Sequence, residues 1–210
     1  MNFALFDPDS PLPRSWWLEQ APSVERVELE IGAGSCGFLL EAARRNPSTL
    51  YAGFEIRVGL VKAFEATGDR PPNALLYGLD GRWVTSYLLA DQSIDTFHVY
   101  FPDPWWKKRH HKRRLFTGEF CRGVARSLTA GGELRLVTDV RVMYESALDG
   151  LLEAGLLQRP GGRRSAGPAE KAAEPACSAY ETKYRRQGRE LHETIFVRGD
   201  VAKGVTLLKG

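Results

Sequence analysis

The chain has 210 residues, which is long enough for one domain with a sizeable core and too short for two full ones. Its 43% hydrophobic and 26% charged residues are ordinary for a globular protein and exclude a disordered or fibrous chain. The net charge is only +3, but the basic excess is concentrated at residues 107–114 and 183–189, a distribution typical of proteins that bind polyanions.

The N-terminal residues contain no basic leader, and no apolar run approaches the ~20 residues of a membrane span. Cys36, Cys121 and Cys177 are odd in number and widely spaced, so they suggest neither a disulfide framework nor a zinc site. We therefore expect a cytoplasmic protein that uses no metal and contacts no membrane.

Residues 1–26 are interrupted by prolines and carry the adjacent Trp16 and Trp17. We expect an N-terminal arm with a short helix that packs on a single domain formed by residues 27–210. Adjacent aromatic residues on a short amphipathic segment usually bury at least one ring, so core packing is favoured over substrate contact.

From residue 27 onward, short runs rich in β-branched and aromatic residues alternate with helical patterns. Strands are predicted at residues 27–31, 50–55, 74–77, 96–101, 133–137 and 193–198, and helices at 38–45, 58–66, 82–90 and 115–127. This alternation predicts an α/β fold, with a mostly parallel, Rossmann-like sheet covered by helices on both faces. Residues 158–179 have too few large apolar side chains to fit the pattern and are predicted to form a mobile loop.

A glycine-rich segment follows the first predicted strand. Gly32, Gly34 and Gly37 suit a sharp turn that lets a ligand approach the start of a helix. Their spacing is that of a dinucleotide-binding loop, and Glu55 lies 18 residues beyond Gly37, close to the ~20 expected for a ribose-binding acid. An NAD-dependent oxidoreductase is therefore one hypothesis.

Acidic residues at the strand ends favour a different cofactor. Glu30 precedes the glycines, Glu55 ends the second strand, and Asp80 and Asp103 follow the third and fourth. S-adenosylmethionine carries an ammonium, a sulfonium and a ribose diol but no phosphate, so carboxylates suit it better than they suit NAD. Each acid could instead cap a helix or lie in a solvated turn, and for Asp80 before Gly81 the two readings are nearly balanced.

Residues 101–114, FPDPWWKKRHHKRR, are the most distinctive stretch of the chain. Pro102 and Pro104 end the preceding strand, so Asp103 is held in a stiff turn at a strand's carboxyl end, where ligands bind in open α/β sheets. Six of the eight residues 107–114 are Lys or Arg. Such a run can be a solvated face, but the tryptophans beside it favour a clamp for RNA or DNA.

This stretch resembles the signature of the tRNA (guanine-N7)-methyltransferases, and a thinner similarity extends over about residues 27–198. The resemblance implies a seven-stranded class I methyltransferase fold. It also implies transfer of a methyl group from S-adenosylmethionine to N7 of a guanosine in tRNA. Asp103 matches the family's catalytic position, where a carboxylate can hold guanine and offset the positive charge that develops on it.

The resemblance also assigns the binding residues. Glu30 would lie near the methionine portion of the cofactor, Glu55 would bind the ribose hydroxyls, and Asp80 would lie near the adenine. The cofactor-binding set implied by this match is Glu30, Gly32, Gly34, Glu55, Asp80 and Asp103. The substrate-binding set is Lys107, Asp139, Thr182, Lys183, Tyr184 and Arg185.

Two residues depart from the family pattern. Cys36 stands where the third glycine of the loop is usual. Residues 182–185 match the family's late substrate motif, except that Arg185 stands where Glu is usual. These departures support a further hypothesis, an RNA-binding protein that keeps the fold without catalysis. His98 and His192 have no metal-ligand spacing around them and are interpreted as packing residues. The sequence leaves a monomer and a homodimer equally open.

Overall fold

Runs of β-branched and aromatic residues form a central sheet in this protein. The structure is a computed structural model and describes residues 9–21, 23–105, 109, 114–159 and 179–199. The strands are β1 (Arg26–Ile31), β2 (Thr49–Phe54), β3 (Ala74–Tyr77), β4 (Ile94–Tyr100), β5 (Leu128–Thr138), β6 (Leu157–Arg159) and β7 (His192–Val197). The helices are α1 (Arg14–Leu18), α2 (Gly37–Arg45), α3 (Val58–Glu65), α4 (Gly81–Trp83), α5 (Gly118–Ser127), α6 (Arg141–Glu153) and α7 (Ala179–Arg186).

Within the described residues these seven strands form one sheet in the order β3-β2-β1-β4-β5-β7-β6. The pairs β1·β2, β1·β4, β2·β3 and β4·β5 are parallel, whereas β7 runs antiparallel to both of its neighbours. The strand order reverses between β1 and β4, and in open α/β sheets this switch point is where ligands bind. The predicted mostly parallel, seven-stranded sheet is confirmed.

Apolar side chains cover both faces of the sheet. On one face, Trp17, Leu88, Phe120 and Ala147 pack with Phe97 of the central strand β4, so α1, α5, α6 and the segment after α4 lie on that side. A smaller cluster on the other face contains side chains of α2 and α3, among them Phe38, Leu39, Val61 and Phe64. Helices therefore flank both faces, as the alternating pattern predicts.

The N-terminal arm packs on the sheet. Trp17 is fully buried, and its ring makes edge-to-face contacts with Phe54 and Tyr77. The backbone of Leu12 pairs with the segment that precedes β4, donating to the carbonyl of Leu88 at 2.7 Å. Core packing is therefore the correct interpretation for Trp17.

Two predicted helices have different bounds in the structure. In place of one helix over residues 82–90, the short α4 continues into a π-helical turn, Val84–Leu88. The helix predicted over 115–127 begins only at Gly118, because the Thr117 side chain accepts a hydrogen bond from the Phe120 N–H at 3.3 Å and caps it.

Three elements were not predicted: α6, β6 and α7. The ends of the predicted loop over 158–179 are ordered, since Gln158 and Arg159 belong to β6 and Ala179 begins α7. The rest of that range, residues 160–178, lies outside the described residues.

Candidate active site at the carboxyl edge of the sheet

The glycine segment forms a tight loop between β1 and α2. Gly32 and Gly34 have φ of +77° and +57°, which glycine adopts without steric cost. The N–H groups of Gly32 and Ala33 donate to the Phe54 carbonyl at 2.9 and 3.0 Å, tying the loop to the end of β2. A Cβ atom added at Gly32 or Gly37 would meet nothing within 4 Å, so there is open space beside the loop for a ligand.

Glu55 is buried beneath this loop and is held by four hydrogen bonds. Its carboxylate accepts from the Gly34 N–H at 2.9 Å, and from the backbone N–H, Nε and Nη2 of Arg57 at 2.8 to 2.9 Å. Burial alone raises the pKa of Glu55, but the hydrogen bonds and charge of Arg57 outweigh it and the net pKa is lowered. The residue is an anchored carboxylate at the end of β2.

Cys36 lies against the same acids. Its thiol is buried, and burial together with the charges of Glu30 and Glu55 raises its pKa to about 12. The thiol therefore stays protonated near neutral pH, which makes Cys36 a packing residue rather than a nucleophile. Glu30 and Glu55 are both buried, and Glu55 is hydrogen-bonded to the loop through the Gly34 N–H.

Asp80 follows β3 and caps the next helix. Its carboxylate accepts a hydrogen bond from the Arg82 N–H at 2.9 Å, which is the capping role that was weighed against adenine binding. Gly81 packs closely on the ends of β1 and β2, since an added Cβ would lie 3.1 Å from side-chain atoms of Ile31 and Phe54. The cap thus lies beside the glycine loop and does not exclude a ligand contact.

The proline turn begins at Phe101, directly after β4. The Phe101 N–H donates to the Val137 carbonyl at 2.8 Å, and both Phe101 and Trp105 have positive φ, +51° and +44°. Positive φ angles are unfavourable for residues with large side chains, and backbone strain of this kind concentrates at functional sites. Asp103 is exposed at the centre of the turn. Lys107 and most of the basic run after it lie outside the described residues.

Helix α7 brings the late motif to this turn. The Tyr184 ring packs edge-to-face on Phe101, with 5.3 Å between the ring centroids. Arg189, just after the helix, lies with Cζ 4.2 Å from the Tyr184 ring centroid and donates to Asp139 Oδ2 at 2.8 Å. Thr182 and Lys183 are exposed on the same helix. Asp139, Tyr184 and the turn that carries Asp103 are therefore neighbours.

Arg185, the departure from the family pattern, is neutralised by acids. Its guanidinium pairs with Glu181, one turn earlier in α7, at 3.0 Å, and also with Glu193 of β7. Since Glu181 is buried, the pairs join the helix to the sheet. Arg185 therefore ties α7 to β7.

The predicted site residues thus fall into two neighbouring groups at the carboxyl edge. Glu30, the glycine loop, Glu55 and Asp80 lie at the ends of β1, β2 and β3, and Asp103 and Asp139 follow β4 and β5. Two functional candidates were missed, Arg57 and Arg189. Only the proximity of Arg57 to Glu55 in sequence could have suggested the first. Arg189 lies in the basic cluster at residues 183–189, but nothing in the sequence marked it individually.

Other kinds of site are not found in the part of the chain that is described. There, no three His, Cys, Asp or Glu side chains come together as a metal site. No helix among the described elements is long and apolar enough to cross a membrane.

The strand order, with the antiparallel β7 and the glycine loop after β1, is that of the class I methyltransferase fold. Solved structures of this class share the fold. The aminoglycoside resistance methyltransferase NpmB1 matches with a TM-score of 0.58 and 19% identity, over 89% of this chain and 94% of that one. A 16S rRNA (adenine(1408)-N(1))-methyltransferase from Catenulisporales acidiphilia, in a variant crystallised with cosubstrate SAM, matches with a TM-score of 0.58 and 16% identity, over 93% and 96%.

Sequence comparison identifies the family. Residues 25–194 match the family described as "Putative methyltransferase". A tRNA (guanine-N(7)-)-methyltransferase of Xanthomonas oryzae pv. oryzae is 36% identical over 81% of this chain and 68% of its own length. The enzyme of the same name from Saccharophagus degradans is 32% identical over 90% and 79%. The chain belongs to the tRNA (guanine-N(7)-)-methyltransferase family, and the NAD-dependent hypothesis is left without support.

Proposed function

We propose that the protein transfers a methyl group from S-adenosylmethionine to N7 of a guanosine in tRNA. Family membership supports the reaction. The structural observation that most supports this reaction is the contact of Phe101 with Tyr184. It joins the turn that bears Asp103 to the late substrate motif. The turn starts near the glycine loop, since β4 is the direct neighbour of β1 and Phe101 packs on the cluster that contains Ala33 and Cys36. A tRNA substrate also implies work in the cytoplasm, as expected from the sequence.

The residues around the glycine loop fit S-adenosylmethionine. The cofactor supplies an electrophilic methyl group on a sulfonium. Open space beside Gly32 and Gly37 would admit it, and the buried carboxylate of Glu30 suits its cationic groups. Glu55 would bind the ribose diol in exchange for hydrogen bonds that it now accepts from the side chain of Arg57. We assign cofactor binding to Glu30, Gly32, Gly34, Glu55, Asp80 and Asp103.

Asp103 has the chemistry that the guanine needs. Guanine N7 carries a bare lone pair, so no base has to remove a proton before methyl transfer. The ring becomes cationic as the bond forms, and a carboxylate fixed beside it stabilises that charge. Asp103 can also accept hydrogen bonds from the guanine N–H groups and hold the base within ~3 Å of the methyl group.

The remaining assigned residues would hold the tRNA. Lys107 opens the basic run, and Lys183 is exposed on α7, so both are suited to phosphate. Thr182, Tyr184 and Asp139 would contact the nucleoside. The ion pairs of Arg185 with Glu181 and Glu193 support a role in holding α7 rather than in contacting the base.

The direct test measures transfer of a labelled methyl group from S-adenosylmethionine to unmodified tRNA, followed by chemical cleavage at 7-methylguanosine. Label at one guanosine is the expected result. Bound tRNA without transfer would instead identify an RNA-binding protein that has kept the fold, and label on another atom or nucleoside would overturn the N7 assignment. Gel retardation of the same tRNA across a salt series supplies the binding measurement.

A further inference from the structure

Arg189 has a defined position in the structure, although the sequence marked it only as part of the basic cluster at residues 183–189. Gly188, with φ of +66°, lies two residues beyond α7, and the Arg189 N–H donates back to the Tyr184 carbonyl at 3.1 Å. This turn directs the guanidinium over the Tyr184 ring, with Cζ 4.2 Å from the centroid. Its Nη1 donates to Asp139 Oδ2 at 2.8 Å. One side chain therefore contacts two predicted substrate residues that come from different elements.

The contacts continue to the proposed catalytic turn. Tyr184, covered by Arg189 on one side, packs edge-to-face on Phe101. The Phe101 N–H donates to the Val137 carbonyl at the end of β5, and Asp103 lies two residues after Phe101 in the same turn. A change in the position of Tyr184 would therefore remove lateral support from the turn.

Burial indicates that the Arg189–Asp139 pair is stronger than an ordinary surface ion pair. The Asp139 side chain is 17% exposed, while that of Arg189 is 50% exposed. A mostly covered carboxylate that loses its partner keeps its desolvation cost, whereas fully exposed pairs contribute little. Arginine also suits the geometry better than lysine, because its planar guanidinium stacks on an aromatic ring and hydrogen-bonds a carboxylate at once.

We propose that Arg189 is a positioning residue for guanine recognition, which orients Asp139 and Tyr184 and supports the Asp103 turn through Phe101. The inference rests on the proposed function, because it assigns those side chains to the guanosine site. The competing role is a plain phosphate contact, in which the exposed part of Arg189 binds the RNA backbone and its pair with Asp139 is incidental. The two roles differ in salt dependence and in coupling to Asp139.

The test compares R189A, R189K, D139N and the R189A/D139N double variant, with R186A as the matched control. R186A removes the same charge from an exposed position of α7. kcat and KM for tRNA are measured at low and at physiological salt. We expect R189A and R189K each to lower kcat/KM by about 10-fold or more at both salt concentrations, through kcat as well as KM. R186A should raise KM only, and less so as salt increases.

The double variant gives the sharper result. If Arg189 acts through Asp139, R189A/D139N should lose little more than the worse single variant. Additive losses, an R189K enzyme with wild-type kinetics, or an R189A enzyme that behaves as R186A does, would each overturn the proposal.

A measurement that does not depend on catalysis distinguishes failure of the positioning role from failure of the proposed function. Amide hydrogen exchange in residues 183–188 should accelerate in R189A and in D139N but not in R186A, because only the first two lose the contact between α7 and β5. A wild-type protein that fails to methylate tRNA would refute the proposed function. Unchanged exchange in R189A would refute the positioning role, whatever the wild-type enzyme does.

Discussion

At the scale of single residues, Cys36 explains how the cofactor loop tolerates a departure from its family's pattern. Its φ of +61° lies in the left-handed region, which is the conformation that the usual glycine would adopt. The strain of about 1–2 kcal/mol for a non-glycine residue is offset by burying the side chain. The loop therefore keeps the turn that the motif requires, and the substitution does not by itself argue for lost catalysis.

A pair of substitutions at this position tests the explanation. C36G should change the free energy of unfolding by less than about 1 kcal/mol, because relief of strain balances the lost burial. C36V places a β-branched side chain at positive φ and should cost about 2 kcal/mol or more. Urea unfolding measures both, and calorimetry measures cofactor binding. Equal destabilisation by the two substitutions would show that the left-handed backbone conformation does not determine which residues are tolerated at position 36.

The sequence predicted the positions of the candidate site residues in the fold better than it predicted their contacts. Glu30, Glu55, Asp80 and Asp103 could be placed because each follows a recognisable strand, and the carboxyl ends of parallel strands share one edge. The hydrogen bonds from Arg57 that fix Glu55 could not be predicted, since a long side chain reaches a partner set by the fold. Arg189 was missed for the same reason, as Asp139 lies 50 residues away in the chain.

At the scale of elements, the success of prediction followed the apolar pattern. Buried strands were found from their apolar runs, and α6 carried a usable signal in Met143, Ala147 and Leu151, buried residues spaced four apart. Helix α7 carried no such signal, because it is rich in charge and is joined to its neighbours by ion pairs and the Tyr184 ring. The loop predicted over 158–179 consequently extended too far at both ends.

The two central strands, β1 and β4, are joined by a buried polar contact. His98 Nε2 lies 2.7 Å from Glu28 Oε2, and His98 Nδ1 lies 2.8 Å from the Tyr100 hydroxyl, so His98 is a packing residue as expected. Burial raises the pKa of Glu28, but the His98 hydrogen bond and charge, with the charges of Arg135 and Arg26, lower it to about 2. The carboxylate is therefore more stable in the folded protein than in the unfolded chain.

This contact predicts acid sensitivity. A depressed folded pKa gives stability that is fully present above the unfolded pKa of about 4.5 and is lost as the pH falls towards 2. The expected loss is of the order of a few kcal/mol, at ~1.4 kcal/mol per pKa unit. E28Q should be less stable at neutral pH and should show a shallower decline in this window, measured by urea unfolding from pH 5 to 2.5.

The matched control is E41Q, because Glu41 forms an exposed pair with Arg45 on α2. Its stability and pH dependence should follow the wild type closely. An E28Q protein with the same acid profile as the wild type would mean that other carboxylates govern the decline.

At the scale of the whole molecule, the sheet collects both halves of the site at one edge. The strand order reverses between β1 and β4, with the acids assigned to the cofactor on the β1 side of this switch point and the Asp103 turn on the β4 side. The alternation of strands and helices predicted this arrangement, because right-handed crossover connections allow only a few topologies for a parallel sheet. The antiparallel β7 contributes to this arrangement, because its Glu193 pairs with Arg185 and so helps to hold α7 beside the turn.

The central claim is that Asp103 acts on the guanine held at this edge, and replacing it is the most direct measurement. D103A should lower kcat for methyl transfer to guanosine N7 by about 100-fold or more, because the charge that stabilises the cationic ring is lost. The variant should unfold at the wild-type temperature, since Asp103 is exposed. D69A, a change at the exposed Asp69 beyond α3, should retain full activity. Wild-type rates of 7-methylguanosine formation by D103A would contradict the account.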